Sequence, residues 1–152
     1  MKRDENIVTL SRDHHIALLF CWKIRQGIKK QVPADRIRPY VQYFWNNHLE
    51  QHFLEEETVL FAGLHDALCE QAIAEHALIR KLIVEASAAD TTEDKLSLLA
   101  DSIDNHIRFE ERTLFPHLEQ LLQGSPLIAI GERLQQIHET HLPDLYPDEF
   151  WV

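Results

Sequence analysis

Glycine and proline are scarce in this chain, at four and six of 152 residues. A loop-rich all-β protein needs more turn formers than that. Cysteine is scarcer still. Cys21 and Cys69 stand in apolar surroundings with no CxxC spacing, and they read as two buried free thiols rather than a disulfide, which suits a reducing cytoplasm. Basic residues are outnumbered, 15 Lys and Arg against 25 Asp and Glu, for a net charge of −10. That balance argues against a nucleic-acid groove, because the phosphate backbone calls for a basic stripe, and against docking on anionic membranes. Long apolar runs are missing too. The longest covers residues 16–22, far short of the roughly 20 residues of a membrane span. The opening MKRDENIVTL holds no apolar stretch of the signal-peptide kind. What remains is an ordinary globular composition, 45% apolar and 26% charged, expected to form one domain over residues 1–152. A chain of this size buries about 68–70% of its unfolded surface. The one unusual abundance is histidine, at 10 residues, which raises the question of a metal.

Long segments free of glycine and proline alternate with short punctuated ones, the pattern of helices. Five are predicted: about 11–30 with Ser11 as N-cap, 35–62 with Asp35 as N-cap and Pro39 in the first turn, 66–88, 92–115 with a continuation past Pro116 to Gly124, and a short fifth at 126–140. The tail LPDLYPDEFWV carries two prolines and is expected to be irregular. Four long helices with short connections predict an all-α, antiparallel up-down-up-down four-helix bundle over about residues 10–122, with the short helix and tail at 126–152.

The second and fourth helices carry the same text. His52-Phe53-Leu54-Glu55-Glu56-Glu57-Thr58-Val59-Leu60-Phe61 lies over His106-Ile107-Arg108-Phe109-Glu110-Glu111-Arg112-Thr113-Leu114-Phe115 at a constant offset of 54. The first and third echo each other in Asp13-His14 and Glu75-His76. Each half of the chain is therefore one helix with acid-His followed by one with HxxxE, and two such halves imply an approximate two-fold axis.

Residues four apart share a helix face, about 6 Å apart along the axis. His52/Glu56 and His106/Glu110 each point one way, and the apolar residues in phase with them say that this way is inward: Leu99, Ile103, Phe109 and Leu114 around His106, and Ile73, Ile79 and Ile83 around His76. A lone HxxxE is ordinarily a hydrogen-bonded pair on a helix surface. Repeated at a fixed offset on core faces, it places two carboxylates where they need a partner or a metal. His14, His52, His76 and His106 with Glu56 and Glu110 suffice for two ions: each takes two imidazoles and a carboxylate oxygen from both glutamates, with a bridging oxide or hydroxide as fifth ligand and a sixth position open. That donor set suits two non-haem iron ions better than zinc in a closed tetrahedron. Glu55, Glu57 and Glu111 stand beside the ligands as supports or as solvated surface. His65, His117, His138 and His141 read as surface or cap residues, the HETH spacing of the last two notwithstanding. Trp22, Tyr43, Phe44 and Trp45 read as core.

The strings HFLEEETVLF and HIRFEERTLFP, with Asp13-His14 and Glu75-His76, resemble the hemerythrin-like (HHE cation-binding) family over roughly residues 10–122. The resemblance implies a four-helix bundle around a central non-haem di-iron site. Two departures stand out. Oxygen-carrying members supply a second histidine four residues after the first on the third helix, where this chain has Arg80, and an Asp at +5 on the fourth, where it has Glu110 at +4. The fifth imidazole is then missing, or comes from His15, beside His14, or from His48, one turn before His52. The expected metal residues are His14, His15, His52, Glu56, His76, His106 and Glu110.

The expected function is a di-iron protein that binds O2, NO or peroxide in sensing, iron handling or stress protection, more a metal-binding protein than an enzyme. A peroxidase-like or NO-reducing enzyme is the alternative, with Glu55, Glu57 or Tyr43 as proton donor. A zinc-bound or metal-free bundle that docks a partner through Phe150 and Trp151 is the third reading.

Overall fold

The computed structural model describes residues 2–137 and 143–152, and every regular element among them is helical. Helix α1 (Val8–Lys29) begins a turn before Ser11, behind Ile7, which offers no side-chain cap. The preceding segment fixes that start: Asp4 accepts from Asn6 N at 2.8 Å, while Arg3 donates to Glu119 at 2.6 Å. The helix closes at Gln31, whose φ of 60° is left-handed, just before Pro33. Helix α2 (residues 34–60) starts behind Pro33, so Asp35 lies in its first turn rather than at the cap, and Pro39 sits inside the helix, deeper than the sequence reading placed it.

Helix α3 (Ala67–Ser87) is capped by Asp66, which accepts from Leu68 N at 3.0 Å and Cys69 N at 3.2 Å. Helix α4 (residues 93–121) is capped by Thr92, which accepts from Lys95 N at 3.3 Å. Both caps satisfy backbone N–H groups that have no partner in the first turn. Helix α5 (Ser125–Ile137) follows Gly124, whose φ of +95° lets the chain turn. The expected end of this helix near residue 140, and His138 and His141, lie outside the described residues. Residues 143–152 hold no regular structure but dock back on the bundle. Phe150 is buried against Gly27 and Ile37, and Asp144 takes Lys23 at 3.0 Å and the Tyr40 hydroxyl.

Three π turns interrupt the two HxxxE helices: Trp45–Leu49, Glu56–Leu60 and Glu110–Leu114. The last two are 54 residues apart, so the repeat in the text is also a repeat in backbone geometry. Each π turn takes an extra residue, so successive side chains fan over a narrower angle than in an α-helix.

Contacts of α1 and the segment before it with α4 run in reverse order along the chain: Arg3 with Glu119, His14 with Glu110, Arg25 with Asp101 and Asp104. The apolar core is split in two. One cluster gathers Ala17, Phe20, Phe53, Ile79, Ile103 and Ile107. The other gathers Leu10, Leu60, Ala72, Leu114 and Phe115. His14, His52, Glu56, His76, His106 and Glu110 are the buried polar layer between them. Two residues expected in the core are not there. Ile73 is 43% exposed because Ala72 and Cys69 fill the inward stripe, and Trp22 is 49% exposed because Cys21 does. Cys21 and Cys69 are buried and free. No helix among the described residues is long and apolar enough to cross a membrane.

Candidate metal centre

Each of the four long helices sends one histidine into the polar layer, and α2 and α4 add one glutamate each. All six side chains are at most 4% exposed. Their inward atoms form two groups that share both carboxylates: His14, His52, Glu56 and Glu110, and Glu56, His76, His106 and Glu110, every ligand atom within 4.8 Å of the others in its group. Glu56 Oε1 stands 3.3 Å from His52 Nε2 and 3.1 Å from His76 Nε2. Glu110 Oε1 stands 3.0 Å from His14 Nε2 and 3.3 Å from His106 Nε2. Each carboxylate therefore reaches a histidine of both groups.

The outward nitrogens are equally ordered. Every Nδ1 meets a carboxylate from the neighbouring helix: His52 meets Asp13 at 2.9 Å, His76 meets Glu57 at 2.6 Å, His106 meets Glu75 at 2.7 Å and His14 meets Glu111 at 2.8 Å. A carboxylate on Nδ1 fixes ring orientation and turns the Nε2 lone pair inward. The braces have supports of their own. Arg80 clamps Glu57 with two hydrogen bonds of 3.0 Å, Arg3 donates to Glu111 at 2.9 Å, and Gln71 donates to Glu75 at 2.8 Å. Phe61 lies along the His76 ring and Phe115 along the His14 ring, so the matched phenylalanines of the repeat do matched work.

The π turns explain how adjacent acids both face inward. Glu56 and Glu57, like Glu110 and Glu111, open a π turn. The first of each pair enters the centre and the second braces a histidine.

Charge follows from this packing. Burial pulls the imidazoles toward neutrality, but the bonds and charges of the carboxylates override it. His76 is raised to about 9 by Glu110 and Glu56, and His106 to about 10, chiefly by Glu110. His52, beside Glu56 and Asp13, is raised well above its ordinary value. Burial opposes the charge on Glu110, yet the surrounding imidazoles hold its carboxyl well below the usual range. Glu111 is held at about 2, burial being outweighed by its bond to His14. Without a cation the layer is thus a lattice of imidazolium and carboxylate.

Several of these inward atoms stand near an opposite charge yet in no hydrogen-bonding alignment: His52, His76 and His106 Nε2, both oxygens of Glu56, and Glu110 Oε2. Orphaned buried polar atoms are costly and rare. Here lone pairs of imidazole and carboxylate converge without a thiolate, and one cation per group would satisfy them all. The residues fit a metal pair. The family model of the hemerythrin HHE cation-binding domain matches residues 6–118 of the chain. This chain belongs to the hemerythrin HHE family. The match covers the inward side chains and all four braces of this HHE protein and stops short of α5 and the tail. Neither a search of curated proteins nor one of solved structures gave a match.

The structure of this HHE domain brings together six of the seven residues expected at the metal. His15 is the exception. It is exposed and belongs to neither group, because one residue along α1 turns a side chain by about 100°. His48 is half-buried against Tyr43 and Phe44, also outside both groups. Arg80, where oxygen-carrying members place a histidine, braces the Glu57 carboxylate instead. Glu55 is buried but in neither group. The Tyr43 hydroxyl accepts from Leu145 N on the docked tail, and Glu57 is kept ionised by Arg80 and His76 despite its burial, so it is no ready proton donor. His117 pairs with Asp66 at 2.7 Å. The sequence reading missed the crossed braces of Asp13 and Glu75. Their signal was present, as the acid repeated before His14 and His76.

Proposed function

We propose that this chain holds two non-haem iron ions, one on His14 and His52 and the other on His76 and His106, with Glu56 and Glu110 spanning both and an oxide or hydroxide between them. Convergence of the six inward side chains into two groups that share both carboxylates carries this reading. A mixed imidazole and carboxylate set without sulfur favours iron over structural zinc. When bound, such a pair supplies a reversible change of oxidation state and an affinity for O2, NO or peroxide. The chain's own part is to hold the imidazoles in one tautomer, exclude bulk water between two apolar clusters, and give up imidazole protons as metal enters. We read the long helices as an up-down-up-down bundle and place the protein in a reducing cytoplasm, where its two free cysteines stay reduced. Its role is binding of a small diatomic or oxidant, in sensing, iron handling or stress protection.

The test is a metal count on protein grown with iron, followed by near-ultraviolet and visible spectra with and without azide, peroxide or NO. The expected result is two irons per chain and charge-transfer bands that respond to an added small ligand. The double variant Glu56→Ala/Glu110→Ala should lose the pair. Zinc in place of iron, or full iron content in the double variant, would overturn the assignment.

A further inference from the structure

The two halves of the centre are related by the internal repeat, but not in what covers them. His76 is stacked face to face by Phe53, with ring centroids 3.9 Å apart and planes 13° apart. The Arg80 guanidinium lies 5.5 Å from the Phe53 ring and 6.0 Å from that of Trp45 while clamping Glu57. Ring, cation and carboxylate make a plug over this half. In the other half the repeat puts Ile107 where Phe53 stands and Leu18 where Arg80 stands. Both substitutes are shorter and neither carries charge; a guanidinium reaches this half only from outside the repeat, as Arg3, which donates to Glu111 at 2.9 Å and lies 5.4 Å from the Phe115 ring. Ile107 and Leu18 line a side cleft of about 430 Å³ whose wall also includes His14, Ser11, Glu111 and Arg3. The cleft lies where the plug residues are replaced.

We infer that the two half-sites exchange metal with solution at different rates, the His14/His52 half quickly through this cleft and the His76/His106 half slowly, when Phe53 and Arg80 move aside. The inference rests on the two-metal reading above. A chelator removes a metal by reaching a ligand position before the protein ligands have all let go. At His14 it meets a ring on the cleft wall. At His76 it must first displace the Phe53 ring, stacked face to face at 3.9 Å, where the His14 half has only Ile107. One extra aromatic contact of that kind corresponds to release slower by up to about tenfold.

Protein loaded with two zinc ions per chain, mixed with excess 4-(2-pyridylazo)resorcinol in a stopped-flow instrument, reads both rates in one trace. Two phases of equal amplitude are expected, one zinc each. His52→Ala should remove the fast phase and His106→Ala the slow one. Filling the cleft with Leu18→Phe, or separately with Ile107→Phe, should slow the fast phase alone. Opening the plug with Phe53→Ile/Arg80→Leu should bring the slow phase up to the fast one. Helical circular dichroism checks that each variant is folded, and the two cleft variants are independent of each other. Wild-type protein that releases two zincs in a single phase overturns the inference and leaves the two-metal reading standing. So does a fast phase that neither cleft variant changes. A chain that takes up fewer than two zincs overturns the two-metal reading itself, and the inference with it.

Discussion

The crossed braces make the two half-sites separately addressable, and Glu57 is the place to show it. Its carboxylate accepts from His76 Nδ1 at 2.6 Å and from both ends of the Arg80 guanidinium at 3.0 Å. Glu57→Ala removes all three bonds, leaving His76 free to rotate and Arg80 without its anion. Losing the Arg80 pair costs the fold little, about 0–1 kcal/mol, because Arg80 is 35% exposed and solvent screens it; the buried His76 Nδ1 left without a partner adds about 1–3 kcal/mol. Metal binding suffers as well. Loss of an outer carboxylate on a ligating histidine typically weakens binding about 10- to 100-fold, or roughly 1.4–2.8 kcal/mol. It should fall on one metal of the two. A competition titration against a chromogenic chelator, fitted with two constants, measures this. Glu57→Gln keeps an acceptor for His76 and should lose less. Glu111→Ala, the counterpart under the repeat, should weaken the other metal. Unchanged constants in Glu57→Ala would refute the bracing argument. So would Glu57→Ala and Glu111→Ala weakening the same metal.

Other outcomes follow from the same geometry. In the metal-free chain His76 and His106 titrate at about 9 and 10, against 6.5 for an unperturbed imidazole. The folded chain therefore holds protons that the unfolded one releases, and the stability this gives is whole below pH 6.5 and lost as pH rises through 9 to 10. The melting temperature in EDTA should fall across that window, and much less with metal bound; a flat or rising curve in EDTA would contradict the charge lattice. Phe150→Ala should destabilise the fold by about 3–5 kcal/mol, since the ring is buried in the main core cluster, while the metal count stays at two; chemical denaturation and a metal assay check both. At Gly27 an added Cβ would stand 2.8 Å from the Phe150 ring and 3.0 Å from Ile37. Gly27→Ala should thus cost about 1–3 kcal/mol by overpacking, despite the better helix propensity of alanine, as thermal melts would show.

Legibility in the sequence followed the range of the interaction. The His52/Glu56 and His106/Glu110 pairs were readable because four-residue spacing is local to one helix. Helix α1 resisted phasing. It is apolar on most sides, so nothing local separates buried His14 from exposed His15. Ile73 was misplaced because three- and four-residue steps both run inward, and packing chose Ala72. The π turns left no trace in composition, since each reads as continuous helix. The braces join residues as far apart as 14 and 111, and only packing pairs them. Arg80 looked like a missing ligand until its partner, Glu57, was visible.

The four braces run from α1 to α2, α2 to α3, α3 to α4 and α4 back to α1. They form a closed circuit with no first or last member. Neither half of the chain, though each repeats the other's lettering, can complete that loop by itself. If one rod swings away, two links open at once. Occupancy of the centre would then act as a gauge of the entire bundle, reading intact only while all four rods stand together.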